Sequence, residues 1–289
     1  MTNEHQAVKA YTLITGASAG LGKALALECA ARNQNLILVA LPNEGLPETS
    51  AWISQEYGVD VAHYETDLTR EKCLEDLLQW VSGNFRVNFL INNAGIGCTR
   101  ALDQMHPAYF DSMIKLNVRV TGMMTFHLLN ELKTHEKAYI LNVSSIISLM
   151  PSAYKTVYSA SKAFIYSFSR GLRQELRGTN VHVSVLMPGP LRTNSSVTER
   201  IKKQGFFGRM IVLEPETAAK IALAQTLDRK PVIIPGVVNK ISGILMKAIP
   251  KSIGVPIISS IYSKEAETGL HHTTVHTVPG VIQVLNDEK

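Results

Sequence analysis

The sequence has few of the features that mark disulfide-bonded, zinc-binding or membrane-spanning proteins. It contains three cysteines in 289 residues, and no two of them have the Cys-x-x-Cys spacing of a zinc or redox site. We therefore expect no disulfide framework, no bound metal and a reducing, cytoplasmic environment. The first residues lack the apolar core of a signal peptide. The most apolar late run, residues 241–262, is interrupted by two lysines and two prolines, which argues against a transmembrane helix.

Charge is also sparse. Charged residues make up 18% of the chain and hydrophobic residues 45%, and the net charge of +5 comes without a dense basic run. This composition is typical of a globular protein with a sizeable core and argues against disorder. The modest positive charge fits an anionic small ligand or a weak preference for an anionic surface, and it predicts no nucleic-acid partner.

Short apolar runs alternate with helical patterns through the first two thirds of the chain. Runs that begin at residues 11, 35, 87, 138 and 181 include several that are apolar on both faces, as parallel strands covered by helices must be. The alternation predicts an α/β fold in which a doubly wound parallel sheet is the middle of three layers. No linker rich in proline, glycine or serine divides the chain. We therefore expect one domain over residues 1–240 and a C-terminal helical extension with a mobile tail over residues 241–289.

A glycine-rich turn, TGASAGLG at residues 15–22, connects the first strand to the first helix. Gly16, Gly20 and Gly22 allow a sharp turn and a close approach of the backbone to a ligand, and N–H groups at the helix start would face a pyrophosphate. The spacing Gly-x-x-x-Gly-x-Gly departs from the usual dinucleotide fingerprint Gly-x-Gly-x-x-Gly. Nucleotide binding is the favoured interpretation, and a tight turn without a ligand is the alternative.

The stretch VYSASKAF places Tyr158 four residues before Lys162, so the two side chains share one face of a helix. A tyrosine, whose ordinary pKa is about 10, transfers protons near neutral pH only if a neighbouring cation stabilises its phenolate. The pair therefore predicts an acid–base group beside the cation that lowers its pKa. The spacing alone also fits a tyrosine and a lysine on a solvent-exposed helix.

Three motifs occur together: the glycine turn, INNAG at residues 91–95 and the tyrosine–lysine pair. In this combination and order the chain, from about Tyr11 to Gly236, resembles the short-chain dehydrogenase/reductase family. The resemblance implies a Rossmann fold, an NAD(H) or NADP(H) cofactor, and interconversion of a ketone and a secondary alcohol by hydride transfer. It also implies a homodimer or homotetramer.

The resemblance assigns four catalytic residues. Tyr158 would be the general acid/base, Lys162 would lower its pKa and bind the nicotinamide ribose, and Ser145, thirteen residues before Tyr158, would polarise the carbonyl. Asn117 would interrupt a helix and hold a proton-relay water near the lysine, and the alternative for it is a solvent-facing asparagine. Ser144 is the neighbour most easily confused with Ser145.

The resemblance also assigns the cofactor contacts, many of which follow the ends of successive strands. Asp67 and its neighbour Leu68 would contact the adenine, and Asp67 is also a candidate cap for the helix that follows. Together with Tyr158 and Lys162, the expected cofactor-binding residues are Gly16, Ser18, Ala19, Gly20, Leu21, Gly22, Ala40, Asn43, Asp67, Leu68, Asn93, Ala94, Gly95, Pro188, Gly189 and Thr193.

The choice between the two cofactors depends on the end of the second strand. Ala40 stands where NAD-dependent members of the family usually have aspartate, and Leu41 where many NADP-dependent members have arginine. The missing acid removes a contact to the ribose 2′-hydroxyl and also a repulsion against a 2′-phosphate. With Ser18 and Asn43 as phosphate donors, we expect NADP(H) rather than NAD(H).

The substrate side is expected in the loop after the sixth strand and in the C-terminal extension. Phe206, Phe207 and Met210 predict an apolar lid over an apolar carbonyl substrate, such as an acyl, sphingoid or steroid ketone, although they suit core packing equally well. The extension alternates apolar residues with lysines, so it would cover the pocket or contact another subunit, or alternatively lie on a membrane surface.

Three histidines near the C-terminus, His271, His272 and His276, lack acidic or cysteine partners and predict a mobile tail rather than a metal site.

Two other classes of function stay open. One is a nucleotide-binding scaffold without turnover, and the other is a peripheral membrane module in which catalysis is secondary.

Overall fold

The computed structural model describes residues 9–192 and 212–267. In these ranges seven strands form one parallel sheet in the order β3-β2-β1-β4-β5-β6-β7. The strands are β1 (Ala10–Thr15), β2 (Asn35–Ala40), β3 (Val61–Glu65), β4 (Arg86–Asn92), β5 (Ala138–Val143), β6 (Val181–Leu186) and β7 (Val232–Ile233). The predicted α/β fold with a doubly wound parallel sheet is confirmed.

Helices cover both faces of the sheet. They are α1 (Gly20–Ala30), α2 (Leu46–Tyr57), α3 (Glu71–Asn84), α4 (Pro107–Ile114), α5 (Thr121–Leu132), α6 (Thr156–Glu175), α7 (Pro215–Leu227), α8 (Val237–Ala248) and α9 (Lys251–Glu267). A π-helical turn, Lys115–Val120, joins α4 to α5. The predicted C-terminal helical region is confirmed, and the proposed domain boundary at residue 240 falls inside α8.

The sheet separates two apolar cores, which explains why its strands are apolar on both faces. Leu25 of α1 packs in one core with Leu38 of β2. Leu77 of α3 and Leu128 of α5 pack in the other core with Ile140 of β5. All five side chains are fully or almost fully buried, so the sheet is the shared support of both helical layers.

The strand order reverses between β1 and β4. From β1 the chain moves outward through β2 and β3, and it then returns to β4 and continues through β5 and β6 to β7. The loops that follow β1 and β4 therefore separate in opposite directions and open a crevice at the carboxyl ends of these strands. Open α/β sheets bind their ligands at this position.

The C-terminal helices α8 and α9 follow the last strand and carry several large exposed apolar side chains. Within the residues that the structure describes, no helix combines the length and the apolar character needed to cross a bilayer.

Candidate active site

A cavity of about 510 Å³ lies in the crevice at the carboxyl ends of the strands. Residues that follow six different strands contribute to its wall, and α9 closes one side. Most of the predicted site residues border it: Gly16, Ser18, Ala19, Gly20, Leu21, Gly22, Ala40, Asp67, Leu68, Asn93, Ala94, Gly95, Ser145, Tyr158, Lys162, Pro188 and Gly189.

The glycine turn has a backbone that only glycine adopts without strain. Gly16 and Gly20 have φ angles of +67° and +53°. A Cβ on Gly22 would lie 1.9 Å from the carbonyl oxygen of Gly16, so helix α1 packs directly on the turn. No side chain caps α1 at Ala19, and the first N–H groups of the helix therefore remain for an anion in the cavity.

Asn93 fastens the loop after β4 to the glycine turn. Its Nδ2 donates to the carbonyl oxygens of Thr15 at 2.9 Å and Gly16 at 3.1 Å. The backbone N–H groups of Asn93 and Ala94 both donate to Thr15 Oγ1 at 3.0 Å. The two loops therefore form one rigid wall. The neighbouring Asn92 has a structural role, since its Nδ2 donates to Asn142 Oδ1 at 2.8 Å between β4 and β5.

Asp67 borders the cavity and makes a local turn. Its Oδ1 accepts hydrogen bonds from the backbone N–H of Thr69 at 3.0 Å and from Thr69 Oγ1 at 2.7 Å. Helix α3 begins only at Glu71, and Arg70 precedes it without a side-chain cap. Asp67 therefore does not cap this helix, and the adenine contact stays a prediction.

Two predicted cofactor residues are not brought to the cavity. Asn43 does not border it, and its backbone N–H donates to Glu65 Oε1 at 3.2 Å. Thr193 lies outside the described residues, as do the predicted lid residues Phe206, Phe207 and Met210 and the histidines His271, His272 and His276.

Tyr158 and Lys162 lie on one face of α6, as their spacing predicts. The Nζ atom of Lys162 is 5.9 Å from the centre of the Tyr158 ring and donates to the Val143 carbonyl oxygen at 3.0 Å. Lys162 is 5% exposed, and its burial lowers the pKa of the ammonium from its ordinary value near 10.5 to about 8. A Cβ on Gly95 would lie 3.1 Å from this Nζ. The sequence-based alternative, in which the lysine lies on a solvent-exposed helix, is therefore wrong for Lys162.

The Tyr158 ring rests against backbone. A Cβ on Gly97 would lie 2.6 Å from Tyr158 Cδ2, so no other residue fits there without moving the ring. Tyr109 donates a hydrogen bond from its hydroxyl to the Gly97 carbonyl oxygen at 3.3 Å. Gly97 was not predicted from sequence, because a single glycine after a strand carries no spacing signal.

Asn117 lies in the π-helical turn and is 1% exposed. Its Oδ1 accepts from the Ile96 N–H at 2.9 Å, and its Nδ2 donates to the Ile96 carbonyl oxygen and to Ser161 Oγ, both at 2.9 Å. The solvent-facing alternative is therefore wrong. The side-chain amide does not border the cavity, and it holds the loop after β4, at Ile96, against α6.

Ser144 and Ser145 have different environments. Ser144 is 2% exposed, and its hydroxyl donates to the Lys162 carbonyl oxygen at 2.7 Å. Ser145 is half-buried at the cavity wall, and its Oγ accepts from the Ile147 N–H at 3.5 Å. Ser144 thus supports the backbone of α6, whereas the hydroxyl of Ser145 is positioned to meet a ligand.

Sequence reasoning missed an acid at the glycine-turn end of the cavity. Glu44 lies four residues after β2, and its Oε2 accepts a hydrogen bond from Ser18 Oγ at 2.5 Å. Both residues border the cavity. No motif in the sequence predicts that Glu44 contacts the glycine turn, because the position of this acid depends on the path of the loop between β2 and α2.

Sequence reasoning also missed a polar cluster at the α9 end of the cavity. Lys155 donates from Nζ to Thr99 Oγ1 at 2.5 Å, and Thr99 donates to Glu265 Oε1 at 2.7 Å. Lys155 Nζ is 3.9 Å from Glu265 Oε1 and lies 4.9 Å from the Tyr262 ring centre and 5.9 Å from that of Tyr158. The cluster ties α9 to α6 beside the tyrosine.

This arrangement can hold an anionic dinucleotide and protonate an oxygen. The uncapped helix start and the tight glycine turn suit a pyrophosphate. At the other end, a phenol, a serine hydroxyl and a buried ammonium converge on one wall of the cavity.

Comparisons with known proteins agree with this geometry. The family model described as short chain dehydrogenase matches residues 10–204. A very-long-chain 3-oxoacyl-CoA reductase of Anas platyrhynchos is 31% identical over 207 residues, which cover 68% of this chain and 64% of that protein. The 17-beta-hydroxysteroid dehydrogenase type 3 of Homo sapiens is 32% identical over 190 residues, which cover 63% and 59%.

A solved short-chain dehydrogenase from Sphingobium yanoikuyae, in complex with NADPH, has the same fold. It is 27% identical, with a TM-score of 0.70, and the match covers 84% of this chain and 97% of that one. The chain thus spans nearly all of this solved protein but less than two thirds of the two curated relatives.

The buried Lys162 makes stability depend on pH. Between pH 8 and 10.5 the unfolded chain holds a proton on this lysine that the folded chain has lost, so the free energy of unfolding should rise with pH in this window. Relative to Lys162→Met, the wild type should gain up to about 3 kcal/mol from pH 8 to 10.5, measured by urea unfolding.

Lys133→Met removes an exposed lysine and is the control for this series. Relative to Lys133→Met, the wild type should show no comparable gain in the free energy of unfolding between pH 8 and 10.5. A difference between wild type and Lys162→Met that is flat across this pH range would mean that the ammonium is solvated in the folded protein.

Proposed function

Because the chain belongs to the short chain dehydrogenase family, we propose that it interconverts a ketone and a secondary alcohol with a nicotinamide cofactor, using Tyr158 as the acid–base group. The observation that carries this proposal is the placement of Tyr158 at the cavity wall, against Gly97 and beside the buried ammonium of Lys162. An acid–base tyrosine needs a fixed ring, an adjacent cation and access to a ligand, and this residue has all three.

The described residues fit such a cofactor. Gly16 and Gly22 leave space where any side chain would fill the turn, and the N–H groups at the start of α1 would hold the pyrophosphate. Asn93 fixes the loop after β4 to this turn, and Lys162 would bind the nicotinamide ribose. When bound, the cofactor supplies or accepts the hydride.

The proton chemistry belongs to the side chains. In the reducing direction Tyr158 donates its phenolic proton to the substrate oxygen, and Ser145 donates a hydrogen bond to the same oxygen. Lys162 stabilises the phenolate that remains on Tyr158. Its pKa of about 8 keeps the ammonium the major form at neutral pH. Asn117 lies beside this lysine, since both adjoin Gly95, and a water there would return the proton to Tyr158.

The substrate is proposed to be a bulky apolar ketone of the acyl or steroid type. Ile96, Ile147, Leu191 and Ile261 supply apolar surface to the cavity near the tyrosine. The names of two relatives point the same way, since one is a 3-oxoacyl-CoA reductase and the other a 17-beta-hydroxysteroid dehydrogenase. The polar cluster formed by Lys155, Thr99 and Glu265 lies beside Tyr158 and would accommodate one polar group of the substrate near the ketone.

For the cofactor we propose NAD(H), which reverses the sequence-based expectation of NADP(H). That expectation used Ser18 and Asn43 as phosphate donors, but Asn43 does not border the cavity and Ser18 donates to Glu44. A carboxylate at this end would accept a hydrogen bond from a ribose 2′-hydroxyl and repel a 2′-phosphate. A related dehydrogenase was solved with NADPH, so the preference must be tested on this chain.

Tyr158→Phe tests the proposed reaction. Removing the phenolic proton should lower kcat for reduction of a bulky apolar ketone by about a hundredfold to ten-thousandfold and leave the Kd for NADH nearly unchanged. Kinetics and fluorescence titration measure the two quantities. Tyr166→Phe, on the same helix but away from the cavity, is the matched control. Full activity in Tyr158→Phe would refute the mechanism. A wild type that binds NADH but reduces no ketone in a broad panel would indicate a nucleotide-binding scaffold.

Glu44→Gln tests the proposed cofactor preference. Fluorescence titration of the wild type should give a lower Kd for NADH than for NADPH. Removing the carboxylate charge should tighten NADPH binding by about tenfold, with a smaller change for NADH. Glu48→Gln removes an equal charge from an exposed site on α2 and should change neither Kd. An unchanged ratio of the two Kd values in Glu44→Gln would show that this acid does not select the cofactor.

A further inference from the structure

Helix α8 exposes an apolar row that the described part of the chain does not cover. Val237, Ile241, Ile244 and Leu245 are 73%, 53%, 67% and 53% exposed. Their spacing of four, seven and eight residues from Val237 puts them on one face of the helix. The opposite face is buried, since a Cβ on Gly243 would lie 3.1 Å from Ile234 Cδ1. The helix is therefore fixed to the body of the protein with its apolar row outward.

Helix α9 has a second exposed row. Ile253, Ile257 and Ile261 are spaced by four residues and are 55%, 54% and 54% exposed. Ile261 also borders the cavity. We call these seven residues of α8 and α9 the C-terminal apolar rows. Such a concentration of exposed aliphatic side chains on two consecutive helices marks an interaction surface.

The charge around the rows is mainly positive, and Glu265, at the end of the α9 row, accepts a hydrogen bond from Thr99. Between Asp228 and Glu265 the chain has no acidic residue. Four exposed lysines occur in the two helices, two on α8 and two on α9: Lys240, Lys247, Lys251 and Lys264. On α8 the two lysines are seven residues apart and border one side of the apolar row. An apolar row edged by lysines is complementary to a surface that is apolar inside and negative outside.

A second copy of the chain fits this surface poorly. A two-fold interface places each patch against itself, so most of the lysines would meet lysines, because the only acids of the two helices, Glu265 and Glu267, lie at the end of α9. Exposed aromatic residues on α5 and α6, Phe126 and Phe164, offer a separate surface for subunit contact.

We propose that the C-terminal apolar rows are a docking surface for an anionic lipid bilayer. The isoleucine, leucine and valine side chains enter the boundary between headgroups and acyl chains, and the lysines contact the anionic headgroups. Since Ile261 belongs both to the rows and to the cavity wall, docking brings the border of the cavity to the lipid surface. Access of a lipid-soluble ketone by this path rests on the proposed function, whereas the docking itself does not.

Vesicle flotation of the full chain tests the docking. The wild type should float with vesicles of equimolar phosphatidylcholine and phosphatidylglycerol, float less with phosphatidylcholine alone, and be released as salt is raised. Ile244→Asp should lower partitioning into the anionic vesicles by at least about tenfold, because it places a charge in the apolar row. The double variant Lys240→Gln, Lys251→Gln keeps the rows and should weaken binding to anionic vesicles only.

Trp52→Asp on α2 replaces another exposed large apolar residue, away from the rows, and should float like the wild type. Circular dichroism, NADH binding and reduction of a water-soluble ketone check that each variant is folded, and these readouts test the active site separately from the docking. Failure of the wild type to float with anionic vesicles overturns the proposal, as does equal flotation of Ile244→Asp. A smaller particle for Ile244→Asp than for the wild type in gel filtration without lipid also overturns it, because a second copy would then cover the rows.

Discussion

A buried ammonium group is the constraint on which the site depends. Lys162 is 5% exposed, and its Nζ donates to the carbonyl oxygen of Val143 at 3.0 Å. Removing an ammonium from water is unfavourable unless nearby groups replace its hydration, and here burial lowers its pKa to about 8. A negative charge forming on Tyr158, whose ring centre is 5.9 Å away, would offset that penalty. The two groups are therefore coupled, since each charged form stabilises the other.

Small residues and backbone groups hold this pocket rigidly. Gly95 leaves space for Nζ, Gly97 supports the tyrosine ring, and Ser144 holds the backbone of Lys162. Asn117 binds both the N–H and the carbonyl of Ile96 from a π-helical turn. The same pattern recurs at the other end of the cavity, where Asn93 fixes the loop after β4 to the glycine turn. Side chains that reach across loops, rather than a dense apolar core, thus set the geometry of the cavity.

The sequence predicted the features that depend on local spacing. Tyr158 and Lys162 share a helical face because of their separation by four residues, and the glycine turn lies between a strand and a helix as its pattern requires. The alternation of apolar runs was sufficient to predict the parallel sheet, because strands buried on both faces are apolar throughout. Domain boundaries and the roles of individual site residues stay predictions.

Features that depend on loop paths or on distant segments were not predictable. Glu44 reaches Ser18 only because the loop after β2 turns back, and the same loop carries Asn43 away from the cavity. Lys155 and Glu265 are far apart in sequence and meet because α9 returns across the mouth of the site. No periodicity or motif encodes such contacts. They nevertheless set the charge at both ends of the cavity, where the proposed cofactor and substrate would bind.

The central claim is that the Lys162 ammonium lowers the pKa of the Tyr158 phenol. NMR titration of protein labelled with ¹³C at the tyrosine ζ carbon measures this pKa directly, with Tyr158→Phe to assign the signal and Lys162→Met to remove the charge. The Tyr158 phenol should titrate at lower pH in the wild type than in Lys162→Met. Titration at the same pH in both proteins would contradict it.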